Sequence, residues 1–373
     1  MAYTQRQIML SFAYLAYVDE LLTTGTPSLD GQIGNDITSL MAADATTPIP
    51  PIAGDWTIVW GPATFTMPGA LYQDNMMYVV QLNQPSGSTA PPQFAVAVRG
   101  TNGTVELDWL LEDFDVVQLM PWPIGATGTD VVGNISESTN IGLNILLNLQ
   151  DPTTSATLQQ FLTTTMANVT NTPASVCFTG HSLGGALAST LALYMLNNQS
   201  SWDPSSASIV TTITFAAPTQ GDDDFAGYFN QQFGYTGTSP LSYWVPPSTT
   251  SPSYADCVRT SLDIVPLCWN TTTMGFIEGI YNDNLLFPPV GTSEIINYIT
   301  TAINSNDYTA VEASQAKLTG PFVSPSDLPP GLNSNSWIAE AEYQHHWSYP
   351  NVLDVPSLLT AIPADMTLIF GRR

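Results

Sequence analysis

Two rhythms of apolar and polar positions run along this 373-residue chain, one of strands and one of helices. Ile8, Leu15, Val18 and Leu22 recur at helical spacing and predict a first helix, followed by a polar, Pro/Thr-rich loop. Short β-like runs come next: WTIVWGPA from Trp56, MMYVVQL from Met76 and QFAVAVRGT from Gln93. Turn-rich SGSTAPP separates the last two, as neighbouring meander strands require. Residues 141–170 predict helix from Ile141, Ile145, Leu149, Leu158, Phe161 and Leu162. ASVCFTG then reads as a buried strand, GGALASTLALYMLNN as a helix with no breaker after Gly185, and VTTITFAAP and YADCVRTSL as two further strands. Strand, helix, strand alternation from about residue 90 to 265 predicts an α/β fold, a mostly parallel central sheet covered by helices on both faces. The stretch 271–340 is less regular, with one helix at SEIINYITTAI. Neither an internal repeat nor a clear linker interrupts the chain, so residues 1–373 are expected to form a single domain.

Composition narrows the function without choosing it. Only 10% of residues are charged, so the surface is finished largely with Ser, Thr, Asn and Gln. The net charge of -25 arises because basic residues number only 6, Lys317 and five arginines. Such a surface repels phosphate, which argues against nucleic acid and against an anionic bilayer and favours a neutral ligand. Cys177, Cys257 and Cys268 lack zinc spacing; a Cys257–Cys268 bridge is weighed against two buried thiols. The apolar stretch after Arg6 lacks a small-x-small cleavage site and so reads as a folded helix rather than a leader. Secretion, with the leader absent from this chain, remains compatible with the scarcity of charge. No run reaches the roughly 18 apolar residues of a membrane span.

The chemistry concentrates at CFTGHSLGGALAST. Gly180-His181-Ser182-Leu183-Gly184 is a G-x-S-x-G pattern set between an apolar strand and a helix, the context of a nucleophile elbow. A serine hydroxyl attacks only when a base takes its proton, and the chain holds 3 histidines, His181, His345 and His346. His181 adjoins Ser182, where consecutive side chains diverge, so one of His345 and His346 is expected to be the base. The orienting acid is expected at Asp263, isolated among apolar residues in VRTSLDIVPLC, rather than in the run Asp222-Asp223-Asp224, which suits a solvated face or helix N-cap. Oxyanion donors are expected from the backbone of Leu183 and from Thr101, where Gly100 lets the chain turn after AVAVR. No metal or organic cofactor is required.

Several separated motifs together resemble the class 3, or fungal-type, triacylglycerol lipases of the α/β-hydrolase fold. They are AVRGT followed by Asp108, Trp109 and Asp113; GHSLGGALA; TFAAPTQGDDDFA; LDIVP; and a histidine before an aromatic stretch, in the family's order over roughly residues 76–350. The resemblance implies Ser182 as nucleophile, Asp263 as acid, Thr101 with Leu183 as oxyanion hole, and, because His346-Trp347-Ser348-Tyr349 is similar to the family's His-Leu-x-Tyr, His346 as base. It implies a lipase cleaving acyl esters of glycerol, with phospholipase A1, feruloyl-type and polyester esterases as alternatives and a catalytically silent relative as the reading from another class. Leu267, where many members have histidine, and Asp222, where asparagine is common, depart from the family. A lid is expected within 102–125, where Leu107, Leu110, Leu111 and Phe114 share a helical face, and a cap insertion at 271–340. The implied partner is a neutral ester or lipid at a lipid–water interface; oligomeric state is left open.

Overall fold

In the computed structural model, residues 3–19, 29–68, 73–100, 116–124, 132–169, 173–233, 253–284, 286–311, 315–323 and 336–362 are described. Its main sheet consists of β1 (Trp56–Phe65), β2 (Asn75–Leu82), β3 (Gln93–Val98), β6 (Ser175–His181), β7 (Ile209–Phe215), β9 (Tyr254–Thr260) and β11 (Gln315–Leu318), side by side in that order. β1, β2 and β3 pair antiparallel; every pairing from β3 to β11 is parallel. All residues of β3, β6 and β7 are buried, the mark of strands covered on both faces. Period-two alternation decides which core each side chain joins. Phe94, Val96, Val98, Val176 and Phe178 face one core, and Ala95, Ala97, Cys177, Ile213 and Phe215 the other.

The first core lies under α3 (Glu137–Asn148), α4 (Leu158–Met166), α5 (Leu183–Asn197) and α6 (Asp223–Gln232). The second lies under α1 (Gln5–Leu15), α2 (Leu29–Met41) and the C-terminal stretch around Tyr349, Val355, Leu358 and Ile362. Thr4 and Gln7 form a reciprocal capping box that fixes where α1 begins, and Thr157 with Gln160 does the same for α4. The helix expected through residue 170 is therefore two helices, broken where Asp151 gathers the N–H groups of Gly61, Thr153 and Thr154. α2 replaces an expected loop: only Ile33, Ile37 and Met41 are buried in it, and so sparse a stripe is easily overlooked.

A second sheet, also unexpected, joins four short antiparallel strands: β4 (Leu119–Pro121), β5 (Asn134–Ser136), β8 (Gly221–Asp222) and β10 (Tyr308–Thr309). A third apolar cluster belongs to the chain that follows β9. Trp269, Met274, Ile277, Tyr281 and, from α7 (Thr292–Ile303), Ile296, Ile299 and Ile303 pack with Trp337 and Ala341. It is rooted beside the catalytic-acid candidate, since Ile264 and Val265 belong to it and the Tyr281 hydroxyl donates to Leu262 O at 2.7 Å. Most of the expected lid, residues 102–115, lies outside the described residues; Leu119–Pro121 within it is strand. Cys177, Cys257 and Cys268 are free thiols, so the weighed bridge is not formed. No helix among the described residues is long and apolar enough to cross a membrane.

Candidate active site

The turn from β6 into α5 gives Ser182 its setting. Ser182 has φ 59° and ψ -133°, a conformation that disfavours side chains, and its N–H donates to Phe215 O at 3.0 Å, tying the elbow to β7. A Cβ on Gly180 would collide with Gly184 O, so only glycine lets strand and helix approach this closely. Leu183 is the first residue of α5, where N–H groups lack intrahelical acceptors. Thr101 lies outside the described residues.

Asp263 follows β9 and is 1% exposed. Its carboxylate accepts from Val265 N–H at 3.0 Å and from the Tyr349 hydroxyl at 2.7 Å, and His345 Nδ1 lies 3.0 and 3.1 Å from its two oxygens. The Tyr349 oxygen in turn accepts from Thr260 N–H at 3.1 Å, fixing the phenol that fixes the acid. Against a carboxylate, His345 Nδ1 must carry the proton, which leaves Nε2 as the basic nitrogen. The expected pairing of His346 with Asp263 is thus corrected: His345 makes it. The reason is local. Tyr343–Trp347 is a π-helical turn in which Ser348 N–H bonds back to Tyr343 O. Across this turn His345 and Tyr349, four apart, reach one acceptor, whereas the expected pair, His346 and Tyr349, is three apart.

His346 is buried, its ring 4.6 Å from that of His345. His181 is fully buried as well, and both of its nitrogens are engaged. Nε2 lies 2.8 Å from His345 O, which can only accept, so Nε2 carries the proton and Nδ1 accepts from the Tyr17 hydroxyl at 3.0 Å. Burial first, and then the neighbouring histidines, hold both His181 and His346 well below the usual imidazole range, so both are neutral. Among the described residues these three histidines form the one group with metal-ligand proximity, with nitrogens within 4.8 Å of one another. A metal bound by all three would have to break a bond of His181, to Tyr17 or to His345 O, since both of its nitrogens are engaged.

Asp222, the rival acid, caps α6 through Phe225 N–H at 2.9 Å and accepts from both nitrogens of Asn134, which makes it structural. No motif in the sequence points to Tyr14 or Tyr17; Tyr349 is the last residue of the His-Trp-Ser-Tyr stretch.

Residues 95–245 match the family model described as lipase (class 3). The M37 lipase crystal structure is similar over 98% of this chain and 96% of that chain, at 30% identity and a TM-score of 0.76. Weaker likenesses include the Lip2 lipase from Yarrowia lipolytica, at 17% identity over 70% of this chain and 72% of that chain with a TM-score of 0.44. Lipase II from Rhizopus niveus shows 17% identity over 72% and 75%, with a TM-score of 0.42. No functionally curated protein matches the chain. An α/β-hydrolase sheet, a serine elbow at its centre and a match spanning nearly the whole of the M37 lipase lead to one conclusion: the chain is a carboxylic-ester hydrolase that belongs to the class 3 lipase family.

Proposed function

We propose that the enzyme hydrolyses neutral acyl esters of glycerol through an acyl-enzyme on Ser182, with His345 as base and Asp263 as its orienting acid. The contact of Asp263 with His345 Nδ1, beside a strained serine elbow, carries the reading. Ser182 Oγ attacks the ester carbonyl as His345 Nε2 takes its proton. The imidazolium, stabilised by Asp263, then gives that proton to the departing alcohol oxygen; water repeats the sequence and frees the acid. Leu183 N–H at the start of α5 supports the developing oxyanion, and Thr101, although outside the described residues, completes the pair in this reading.

The insertion supports a lipid–water interface as the working surface. Phe276, Phe287, Val290 and Tyr298 are 61, 62, 106 and 75% exposed. Between Thr271 and Ile303 the charged residues are Glu278, Asp283 and Glu294, with no lysine or arginine. Exposed apolar side chains with acidic neighbours suit an uncharged lipid surface and disfavour an anionic one, which ranks glycerides above phospholipids. In this reading the chain is one domain, the insertion is its cap, and a charge-poor surface is compatible with work outside the cell.

A fluorophosphonate probe with a soluble p-nitrophenyl ester tests the assignment. Ser182 should carry the adduct, and Ser182→Ala and His345→Gln should each lose on the order of 10³-fold or more in kcat, whereas His346→Gln keeps most of it. An unlabelled Ser182 in folded protein would support the silent relative instead.

A further inference from the structure

Pro350 lies one turn after the two histidines and has no N–H. Counting four residues back, as an α-helix does, the carbonyl that loses its donor is that of His346; counting five back, as the π turn does, it is that of His345. Both carbonyls are buried, where a missing donor is costly. Two side chains from distant parts of the chain supply the donors: the Tyr14 hydroxyl bonds His346 O at 2.5 Å and His181 Nε2 bonds His345 O at 2.8 Å. The flanking carbonyls are held from within the helix, Gln344 O by Ser348 Oγ at 2.8 Å and Trp347 O by Asn351 Nδ2 at 3.0 Å.

These donors are themselves fixed. His181 is the residue before Ser182 and is oriented by Tyr17, just beyond the end of α1. Gly100 leaves room for this bond, since a Cβ there would collide with the Tyr17 hydroxyl and with His181 O. The end of α1 is clamped by Arg99, whose buried guanidinium donates to Ala16 O at 2.5 Å and Val18 O at 3.0 Å and to Gln73 Oε1 at 2.8 Å. One continuous set of bonds thus runs from the end of β3, through the end of α1, to the residue beside the nucleophile and on to the backbone of the base.

We propose that Tyr14, Tyr17 and His181 are positioning residues that replace the donor missing at Pro350, hold the base-bearing π turn open, and set His345 against Ser182 and Asp263. The proposal rests on the reading of His345 as base. It makes the N-terminal helix part of the catalytic apparatus, and it gives the histidine of the serine motif a task other than proton transfer. His181 Nε2–H is committed to the backbone of the residue whose side chain does the chemistry.

The test compares His181→Phe, His181→Gln and Tyr14→Phe in the full-length enzyme, with kcat and KM for a soluble p-nitrophenyl ester and a melting curve for each. His181→Phe should lower kcat about 100-fold, the scale of a displaced catalytic group, with KM within about twofold of wild type. His181→Gln, whose side-chain N–H can reach His345 O, should recover at least about tenfold of that loss, and Tyr14→Phe, which removes one hydroxyl, should cost roughly three- to tenfold in kcat. Equal kcat for His181→Phe and His181→Gln in equally folded proteins overturns the proposal, as does a loss that falls on KM. Should His181→Phe not fold, Tyr14→Phe decides, and an unchanged kcat overturns it. His345→Gln is run alongside. Full activity there, with loss in His346→Gln, overturns the base assignment itself; loss in His345→Gln with normal His181 and Tyr14 variants overturns the positioning network alone.

Discussion

At the scale of single residues, the site stores strain at one place and spends hydrogen bonds at another. Ser182 holds a backbone conformation that glycine adopts freely, at a cost on the order of 1–3 kcal/mol. Ser182→Gly should therefore be inactive yet melt at a higher temperature than the parent, and an unchanged or lower melting temperature would show that the elbow is not strained. Asp263 depends on Tyr349 for one of its donors. Tyr349→Phe removes a hydrogen bond to a charged group, of a class contributing about 1.5–3 kcal/mol, so kcat should fall roughly ten- to a hundredfold with KM little changed in steady-state assays. The choice between His345 and His346 also belongs to this scale, and there the residue pattern misled. Both histidines precede the same aromatic stretch, and only the hydrogen-bonding register of a five-residue turn decides which one faces the acid. That register depends on Pro350 and on donors more than 160 residues away in sequence.

At the scale of elements, β3, β6 and α5 were readable from their nearly continuous apolar runs and β7 and β9 from β-branched and apolar residues within the strand–helix alternation, and G-x-S-x-G placed between strand and helix was enough to locate the elbow. α2 was not, because Ile33, Ile37 and Met41 are its only buried residues among Gly, Asn, Asp and Ser. β11 and the two- and three-residue strands of the second sheet carry too few side chains to show a period; their pairing partners define them. The insertion after β9 is an element with its own prediction. Replacing Phe276, Phe287 and Val290 by serine should reduce hydrolysis of an emulsified triglyceride several-fold while affecting a soluble short-chain ester much less, since these side chains are exposed rather than part of a core. Equal loss on both substrates would assign them to folding instead of interface contact.

For the molecule as a whole, acidity acts first through the buried histidines. His181 and His346 are neutral when folded, their affinity for protons lowered by burial and by their histidine neighbours, whereas the unfolded chain takes up protons near the ordinary value of 6.5. Below that value the unfolded state binds more protons, so stability falls with decreasing pH by up to about 1.4 kcal/mol per pH unit for each such histidine. The melting temperature should hold from pH 8 to 7 and drop between roughly pH 6.5 and 5, before most carboxylates titrate, and His346→Gln should flatten the slope. A flat profile across that window would mean that the cluster is charged or solvated. The sequence by itself determined the sheet's core strands, the serine elbow and the family resemblance, because each is written in local periodicity or in a short motif set between a strand and a helix. Only the tertiary structure decided which histidine meets Asp263, which distant donors reach the carbonyls of the π turn, and the third apolar cluster. These depend on which buried carbonyl lacks a donor and which distant side chain can reach it, and hydrogen-bond satisfaction across a packed interior is not a property of neighbouring residues.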